Sequence, residues 1–238
     1  MYTFDSRIRF SETDSEGKLT LLGLLNYFQD CSTFHSEEVG LGLKVMKERK
    51  LAWVLSSWQI TTERYPELGE KVTIGTMPYG MRSFMGYRNF FMMDQRGGYL
   101  AKANSLWALI NLENGRPVAA AQEMLERYRP EPQLEMDYAD RKISVPMGGR
   151  KLEPITVGQH LLDTNGHVNN GQYVAIAEDF LRQGQKVRQM RAEYKKQAFL
   201  GDVFHPYLVE NGELTLVSLQ DAEGRAYATV EFDVGREA

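Results

Sequence analysis

This chain repeats itself, and the repeat constrains its fold more than any other feature. Asp14-Ser15-Glu16-Gly17-Lys18-Leu19 precedes one apolar helical stretch, and Asp163-Thr164-Asn165-Gly166-His167-Val168 precedes another, 149 positions later. Leu68-Gly69-Glu70 is matched by Leu200-Gly201-Asp202 at a shorter offset of 132, so the second copy is abbreviated between its helix and its first strands. Asp94-Gln95-Arg96-Gly97 and Asp221-Ala222-Glu223-Gly224 are corresponding turn sequences. Three matches in the same order point to a tandem duplication. The 238 residues are enough for two small domains, each with its own core.

Each copy reads as one helix followed by strands. Leu21, Leu24, Leu25 and Phe28 fall at i, i+3, i+4 and i+7, one helical face. Tyr173, Ile176, Ala177, Phe180 and Leu181 keep that spacing in the second copy, with Asn169 or Asn170 as the cap. The segments 53–63, 71–77, 84–93 and 99–110 are rich in aromatic and branched residues and predict strands. Ala226, Ala228, Val230, Phe232 and Val234 alternate with more polar residues, which predicts a half-buried strand. Asn211-Gly212 predicts a tight hairpin with those two residues at its centre. A helix followed by an antiparallel meander, twice, is an α+β plan. Arg129-Pro130-Glu131-Pro132 opens a stretch without apolar periodicity, and Pro146, Gly148, Gly149, Arg150 and Lys151 close it. The expected division is an N-terminal domain over 1–130, a linker over 131–152 and a C-terminal domain over 153–238.

Composition removes several function classes. Hydrophobic residues make up 42% and charged residues 25%, which excludes a disordered chain. A net charge of −4 argues against a nucleic-acid coat protein. Cys31 is the only cysteine, so no intrachain disulfide forms and a cytoplasmic location is expected. The longest apolar cluster, 19–28, is far shorter than the roughly 20 residues that span a bilayer, and the N-terminus lacks a signal-peptide core; no membrane association is expected. The nucleophile elbow, the phosphate-binding glycine loops and the zinc-protease helix motif are all missing, and no cofactor or metal is expected.

What remains is Asp163-x-Asn165-x-His167-Val168-Asn169-Asn170, a polar turn entering the second helix. Histidine is the side chain whose unperturbed pKa lies nearest neutrality, and with a carboxylate and the free N–H groups of a helix start it suits attack on a carbonyl carbon. The plainer reading is a helix-capping turn in which Asp and Asn bond backbone and His is incidental. The first copy bears on the choice: Glu16 stands for Asn165 and Lys18 for His167. A turn needed only for folding would keep similar residues in both copies, so the change points to one specialised site, in the second half.

The chain resembles the acyl-acyl carrier protein thioesterases, the plant fatty-acid chain terminators and their bacterial relatives. The resemblance rests on Trp53 to Pro66 with Glu63-Arg64-Tyr65-Pro66, on Gly69-Glu70-Lys71-Val72, on Ala103 to Asn111, on the Asp163–Asn170 run and on Glu193-Tyr194-Lys195-Lys196. It implies a tandem double hotdog, each half a long helix wrapped by a curved antiparallel sheet. It also implies hydrolysis of a fatty acyl thioester to the free acid and holo carrier protein, with acyl carrier protein as the partner. The family's catalytic aspartate, asparagine and histidine fall on Asp163, Asn165 and His167. Plant members carry an acid, and often a cysteine, after the Glu-Tyr-basic-basic run; here Gln197 and Ala198 stand there. Glutamine is neither a general base nor a nucleophile, so the role left to Gln197 is to orient water. Asp163 then serves as base or positions the water with His167, Asn165 holds the thioester or a neighbouring group, and N–H groups at the second helix start meet the carbonyl oxygen.

Other residues carry two readings each. Arg182, Lys186, Arg188, Arg191, Lys195 and Lys196 form a basic stretch that suits docking of an acidic carrier protein, or is a solvated strand edge. Leu21, Leu24, Leu25 and Phe28, with Met77, Met81, Met85, Met92 and Met93, suit an acyl pocket in the N-terminal half, or are core. Cys31, His35, His160 and His205 read as structural. Three rivals stand beside the thioesterase: an acyl-CoA thioesterase of the same superfamily, a double-hotdog hydratase and a non-catalytic acyl-binding protein. The hydratase pattern, Asp-x-Asn-Pro-x-His, is disfavoured because His167 lies four rather than five residues after Asp163 and Gly166 replaces proline. A monomer or a homodimer fits two hotdogs in tandem.

Overall fold

The structure is a computed structural model and describes residues 1–182 and 184–236. Its contacts divide the chain into two compact units, residues 1–56 with 62–138 and residues 57–61 with 139–238.

The first unit contains β1 (Tyr2–Arg7), α1 (Leu21–Glu38), α2 (Leu43–Glu48), most of β2 (Leu51–Thr62), β3 (Lys71–Arg82), β4 (Met85–Asp94), β5 (Tyr99–Asn111) and α3 (Gln122–Tyr128). Its strands run in the order β1-β3-β4-β5-β2, antiparallel at each of the first three pairings. Helix α1 starts where Thr20 accepts a hydrogen bond from the Gly23 N–H at 3.0 Å, an N-cap. The predicted stripe is its buried face: Leu21, Leu24, Leu25 and Phe28 are all at most 1% exposed, and Phe28 packs on Phe90 of β4 at 5.4 Å. Cys31 and His35 continue that face and are buried as well.

The second unit contains β6 (Arg150–Lys151), β7 (Ile155–Thr156), α4 (Asn170–Glu178), β8 (Gln185–Tyr194), β9 (Val203–Asn211), β10 (Leu214–Gln220) and β11 (Ala226–Arg236). Its order is β8-β11-β10-β9-β6, with β7 also on β9, and residues 57–61 of β2 pair with β8 from Ser57↔Glu193 to Thr61↔Gln189. Asn169 is the cap of α4, accepting from the Gly171 N–H at 2.8 Å. Tyr173, Ile176 and Ala177 are buried as predicted, but the helix has nine residues against eighteen in α1. It ends at Glu178, so Phe180 and Leu181 lie beyond it and not on its face.

Three sequence expectations change in detail. The hairpin after β9 is centred one residue later: Asn211 pairs with Leu214, and Gly212-Glu213 form the turn, with Gly212 at φ +63°. Glycine at the first central position meets that backbone requirement, and the Glu213 carbonyl is taken by the Val234 N–H at 2.9 Å. Strand β11 is not simply half-buried, because Tyr227 and Thr229 are buried too. The register passes from Gln220↔Ala226 to Leu219↔Ala228, so Tyr227 is an inserted residue in a bulge. It packs on Phe204 at 5.2 Å, while the Thr229 hydroxyl meets Ser218 at 3.4 Å. The expected linker is not a free tether. Asn89, fully buried, accepts from the Leu134 N–H and the Tyr138 hydroxyl, each at 3.0 Å, and Glu193 accepts from the Ile143 N–H at 3.1 Å.

The duplication is visible bond by bond. Ile8 and Glu70 exchange the role that Val157 and Asp202 play in the second copy (N···O 2.9 and 2.8 Å). Leu19 donates to the Pro66 carbonyl as Val168 donates to Ala198, both at 2.9 Å. Thr20 donates to Glu12 as Asn169 donates to Leu161, again both at 2.9 Å.

Candidate active site

The turn carrying Asp163, Asn165 and His167 is one of four with the same wiring among the described residues. In each, an aspartate side chain accepts from the N–H groups two and four residues on, and a glycine at the fourth position has positive φ. Asp163 Oδ1 accepts from Asn165 N at 2.8 Å and His167 N at 3.2 Å. Asp14 does so for Glu16 and Lys18, Asp94 for Arg96 and Gly98, and Asp221 for Glu223 and Arg225. The aspartate N–H also donates to the carbonyl four residues on, at 2.7 Å for Asp163 and His167. Gly166 sits at φ +78° and Gly17 at +76°, a conformation costly for residues with a Cβ. The reading of this sequence as a backbone-capping turn is therefore correct for Asp163 Oδ1. The turns differ in what each presents.

The turn at Asp14 presents Lys18, whose Nζ pairs with Glu16 at 2.7 Å. The turn at Asp163 presents His167, half-buried, with its ring edge-to-face against Phe199 at 4.9 Å and 77°. Among the described residues neither imidazole nitrogen of His167 bonds to protein, and Asp163 Oδ2 is likewise unengaged. Asn165 is at the exposed tip. Gln197 is exposed two residues before Phe199, whose backbone bridges to His167. The structure therefore gathers Asp163 and His167 on one turn with the strand end bearing Gln197 beside it.

That strand end is held from three sides. The Tyr227 carbonyl at the bulge accepts from both Lys195 N (2.8 Å) and Lys196 N (3.2 Å). The Ala198 N–H donates to the Tyr173 hydroxyl at 2.9 Å, and the Ala198 carbonyl takes Val168 N. Burial pushes the Tyr173 hydroxyl up to about 12, so it stays neutral and accepts. The helix start is less open than expected: Gly171 N is capped by Asn169 Oδ1, and Gln172 N donates to the Asn169 carbonyl at 2.9 Å. Phe199, Tyr173 and the bulge at Tyr227 were not singled out for the site from sequence. The one local signal was the adjacency of Phe199 to the Glu193–Lys196 motif.

The basic residues expected to dock a partner are mostly paired. Arg188 binds Asp233 at 2.7 Å and also Glu213. Arg191 binds Glu231 at 2.6 Å and the carbonyls of Asp140 and Lys142. Lys195 meets Glu193 at 3.3 Å; Lys196 meets Asp221 at 3.3 Å and lies over the Tyr227 ring at 4.4 Å. Lys186 is exposed. Burial opposes ionisation of Asp221, but hydrogen bonds from Arg225 and Lys196 hold it at about 2. Leu21, Leu24, Leu25 and Phe28 are core of the first unit. His160 is exposed and His205 half-buried. Among the described residues no group of three His, Cys, Asp or Glu could hold a metal, and no helix is long and apolar enough to cross a membrane.

A family model described as the acyl-ACP thioesterase N-terminal domain matches residues 1–128. An acyl-[acyl-carrier-protein] hydrolase from the chloroplast of Cuphea viscosissima is 26% identical over 214 residues, covering 82% of this chain and 51% of the relative. A palmitoyl-acyl carrier protein thioesterase of Arabidopsis thaliana is 25% identical over 212 residues, covering 80% and 50%. The chain thus spans about half the length of these relatives. An acyl-ACP thioesterase structure from Bacteroides thetaiotaomicron superposes with a TM-score of 0.90 at 23% identity, covering 98% of this chain and 97% of that one. A 12:0-ACP thioesterase from Umbellularia californica gives 0.83 at 22% identity, covering 99% and 97%. At these identities the likeness establishes the fold, a tandem double hotdog.

Proposed function

The chain belongs to the acyl-ACP thioesterase family, and from that premise we propose that it hydrolyses fatty acyl thioesters of acyl carrier protein. The products are the free fatty acid and the holo carrier protein, and the setting is fatty acid biosynthesis in the cytoplasm. The observation that carries this reading is the contrast between two turns of one design. One ends in an ion-paired lysine; the other holds a half-buried histidine whose ring nitrogens have no protein partner among the described residues.

His167 is the general base in this reading, because imidazole is the side chain best suited to exchange a proton near neutrality. Water loses a proton to the imidazole as its oxygen bonds to the thioester carbonyl carbon. The tetrahedral adduct then collapses, the C–S bond breaks, and the imidazolium returns its proton to the departing sulfur. Asp163 has two tasks: Oδ1 holds the turn, and the charge of the carboxylate favours the transient imidazolium. Of the two candidates for the base, His167 is preferred to Asp163 because Asp163 Oδ1 already serves the backbone. Asn165 and Gln197, both exposed and neutral, donate and accept hydrogen bonds to the thioester and the attacking water.

The test is thiol release by the purified protein from acyl-carrier-protein and acyl-CoA series, C6 to C18, with His167→Ala as control. Faster turnover of the carrier series, lost in the control, is the expected result. Preference for the CoA series would reassign the substrate. Binding of both series without release would make the protein an acyl binder in which Gln197 marks a site that no longer hydrolyses.

A further inference from the structure

One hydrogen bond beside the turn at Asp163 has no counterpart in the first copy. The two offsets of the duplication place Tyr173 where the first copy has Leu24 (149 positions) and Ala198 where it has Pro66 (132 positions). All four residues are buried. In both copies the carbonyl at this point accepts from the residue before the helix cap, Leu19 to Pro66 and Val168 to Ala198. The N–H side differs. Pro66 has no N–H, and Leu24 offers no acceptor. Ala198 has an N–H, and it donates to the Tyr173 hydroxyl at 2.9 Å. A buried N–H needs a partner, so the two exchanges are linked: donor and hydroxyl together in one copy, neither in the other.

The first copy shows that the fold does not require this bond. An apolar pair closes the same junction there, and removing both partners of a buried bond is close to neutral for stability. What the bond adds is direction. The peptide between Gln197 and Ala198 is planar, so an acceptor that fixes its N–H also fixes the plane containing the Gln197 Cα. The acceptor is itself held, because the Tyr173 ring lies 5.5 Å from Phe204 and 5.8 Å from Tyr194. On its other side Ala198 takes the Val168 N–H at 2.9 Å, next to His167, and Phe199 bridges to His167 itself. Gln197 therefore stands on a strand end tied to α4 by Tyr173 and to the histidine turn by Val168. We propose that Tyr173 is a positioning residue, whose hydroxyl fixes the Gln197–Ala198 peptide and so aims the Gln197 side chain at the water that His167 activates. Tyr173 acts only through Gln197, and its role rests on the hydrolase reading.

The experiment is a double-mutant cycle of Tyr173→Phe and Gln197→Ala in the full chain. It is read as thiol release from the acyl-carrier-protein substrate turned over fastest in the C6 to C18 series, and as NMR amide spectra. Tyr173→Phe keeps the ring and removes the hydroxyl. It should lower kcat by roughly tenfold to a hundredfold with KM unchanged, the scale of loss when a catalytic group is misplaced. In the Gln197→Ala background the same change should cost less than about twofold more, because its route to the reaction is gone. The Ala198 amide should exchange at least about tenfold faster, and the Gln197 side-chain amide signals should shift. Equal kcat losses in both backgrounds, or full turnover in Tyr173→Phe, would overturn the positioning role. Tyr173→Phe combined with Ala198→Pro removes both partners, as the first copy does, and decides the matter if the single variant does not fold: near-normal kcat there would also overturn it. A wild-type chain that released no thiol would sink the hydrolase reading instead. The Ala198 and Gln197 signals would still test the hydroxyl's hold on this peptide, and unchanged signals in Tyr173→Phe would end the proposal on their own.

Discussion

The turns at Asp14 and Asp163 have the same backbone and different consequences. Both use an aspartate oxygen to hold two N–H groups, both need a left-handed glycine, and both lead into a capped helix. Lys18 closes the first on itself by pairing with Glu16, whereas His167 leans on Phe199 and leaves its nitrogens to other partners. The comparison separates two things that a motif merges: a side-chain oxygen at the first position holds the turn in both copies, and the histidine is what one copy adds.

The sharpest way to break the comparison is to remove the fifth residue of each turn. His167→Ala should lower kcat by about a hundredfold to ten-thousandfold, the range for loss of a general base, while Lys18→Ala leaves it within twofold. Comparable losses in both would show that the two turns matter equally and that His167 is not special. Next come the aspartates. Asn111 already caps a turn in this chain with its amide, accepting from Glu113 N at 2.8 Å, so Asp→Asn preserves the cap and removes the charge. Asp163→Asn should reduce kcat at least roughly a hundredfold with a native melting temperature, and Asp14→Asn should leave turnover alone. Near-normal turnover in a folded Asp163→Asn enzyme would reduce that residue to its backbone role.

Phe199 sharpens the contrast at smaller amplitude. Phe199→Leu should lower kcat about fivefold to tenfold with KM unchanged, an edge-to-face contact being worth about 1 kcal/mol. The ring-current shift of the His167 proton signals should vanish with it, and Phe199→Tyr should restore both. A KM effect alone would place Phe199 with substrate binding. The smallest effect concerns Asp221, whose pKa is depressed to about 2. A group held below its unfolded value contributes stability above the unfolded pKa and loses it as pH falls through the folded one. The melting temperature should therefore decline between about pH 4 and 2, and Asp221→Asn should flatten that decline.

Much of this was legible because it is local. The four turns announce themselves by Asp or its equivalent and a glycine three residues on. The α1 stripe follows from spacing alone, as do the strand cores. The bulge at Tyr227 was not legible, since an inserted residue is defined by the register of a neighbouring strand. Nor was the length of α4, because Phe180 and Leu181 continue the apolar spacing past the point where the backbone leaves the helix. The basic run from Lys186 to Lys196 read as a field of positive charge; apart from Glu193, which meets Lys195 locally, its acids come from β11, from the turn at Asp221 and from Glu213, remote in sequence.

Asn89 bears on where this chain can be divided. Its amide is fully buried and takes hydrogen bonds from Leu134 and Tyr138, beyond the proline-rich stretch where the sequence alone suggests a cut. A fragment ending at residue 130 would strip both partners from that oxygen, at about 1–3 kcal/mol for a buried group left unmatched. The smallest piece of the first half worth expressing therefore ends no earlier than Tyr138, and a protease that nicks the intervening segment would loosen the sheet beneath it as well as the connection.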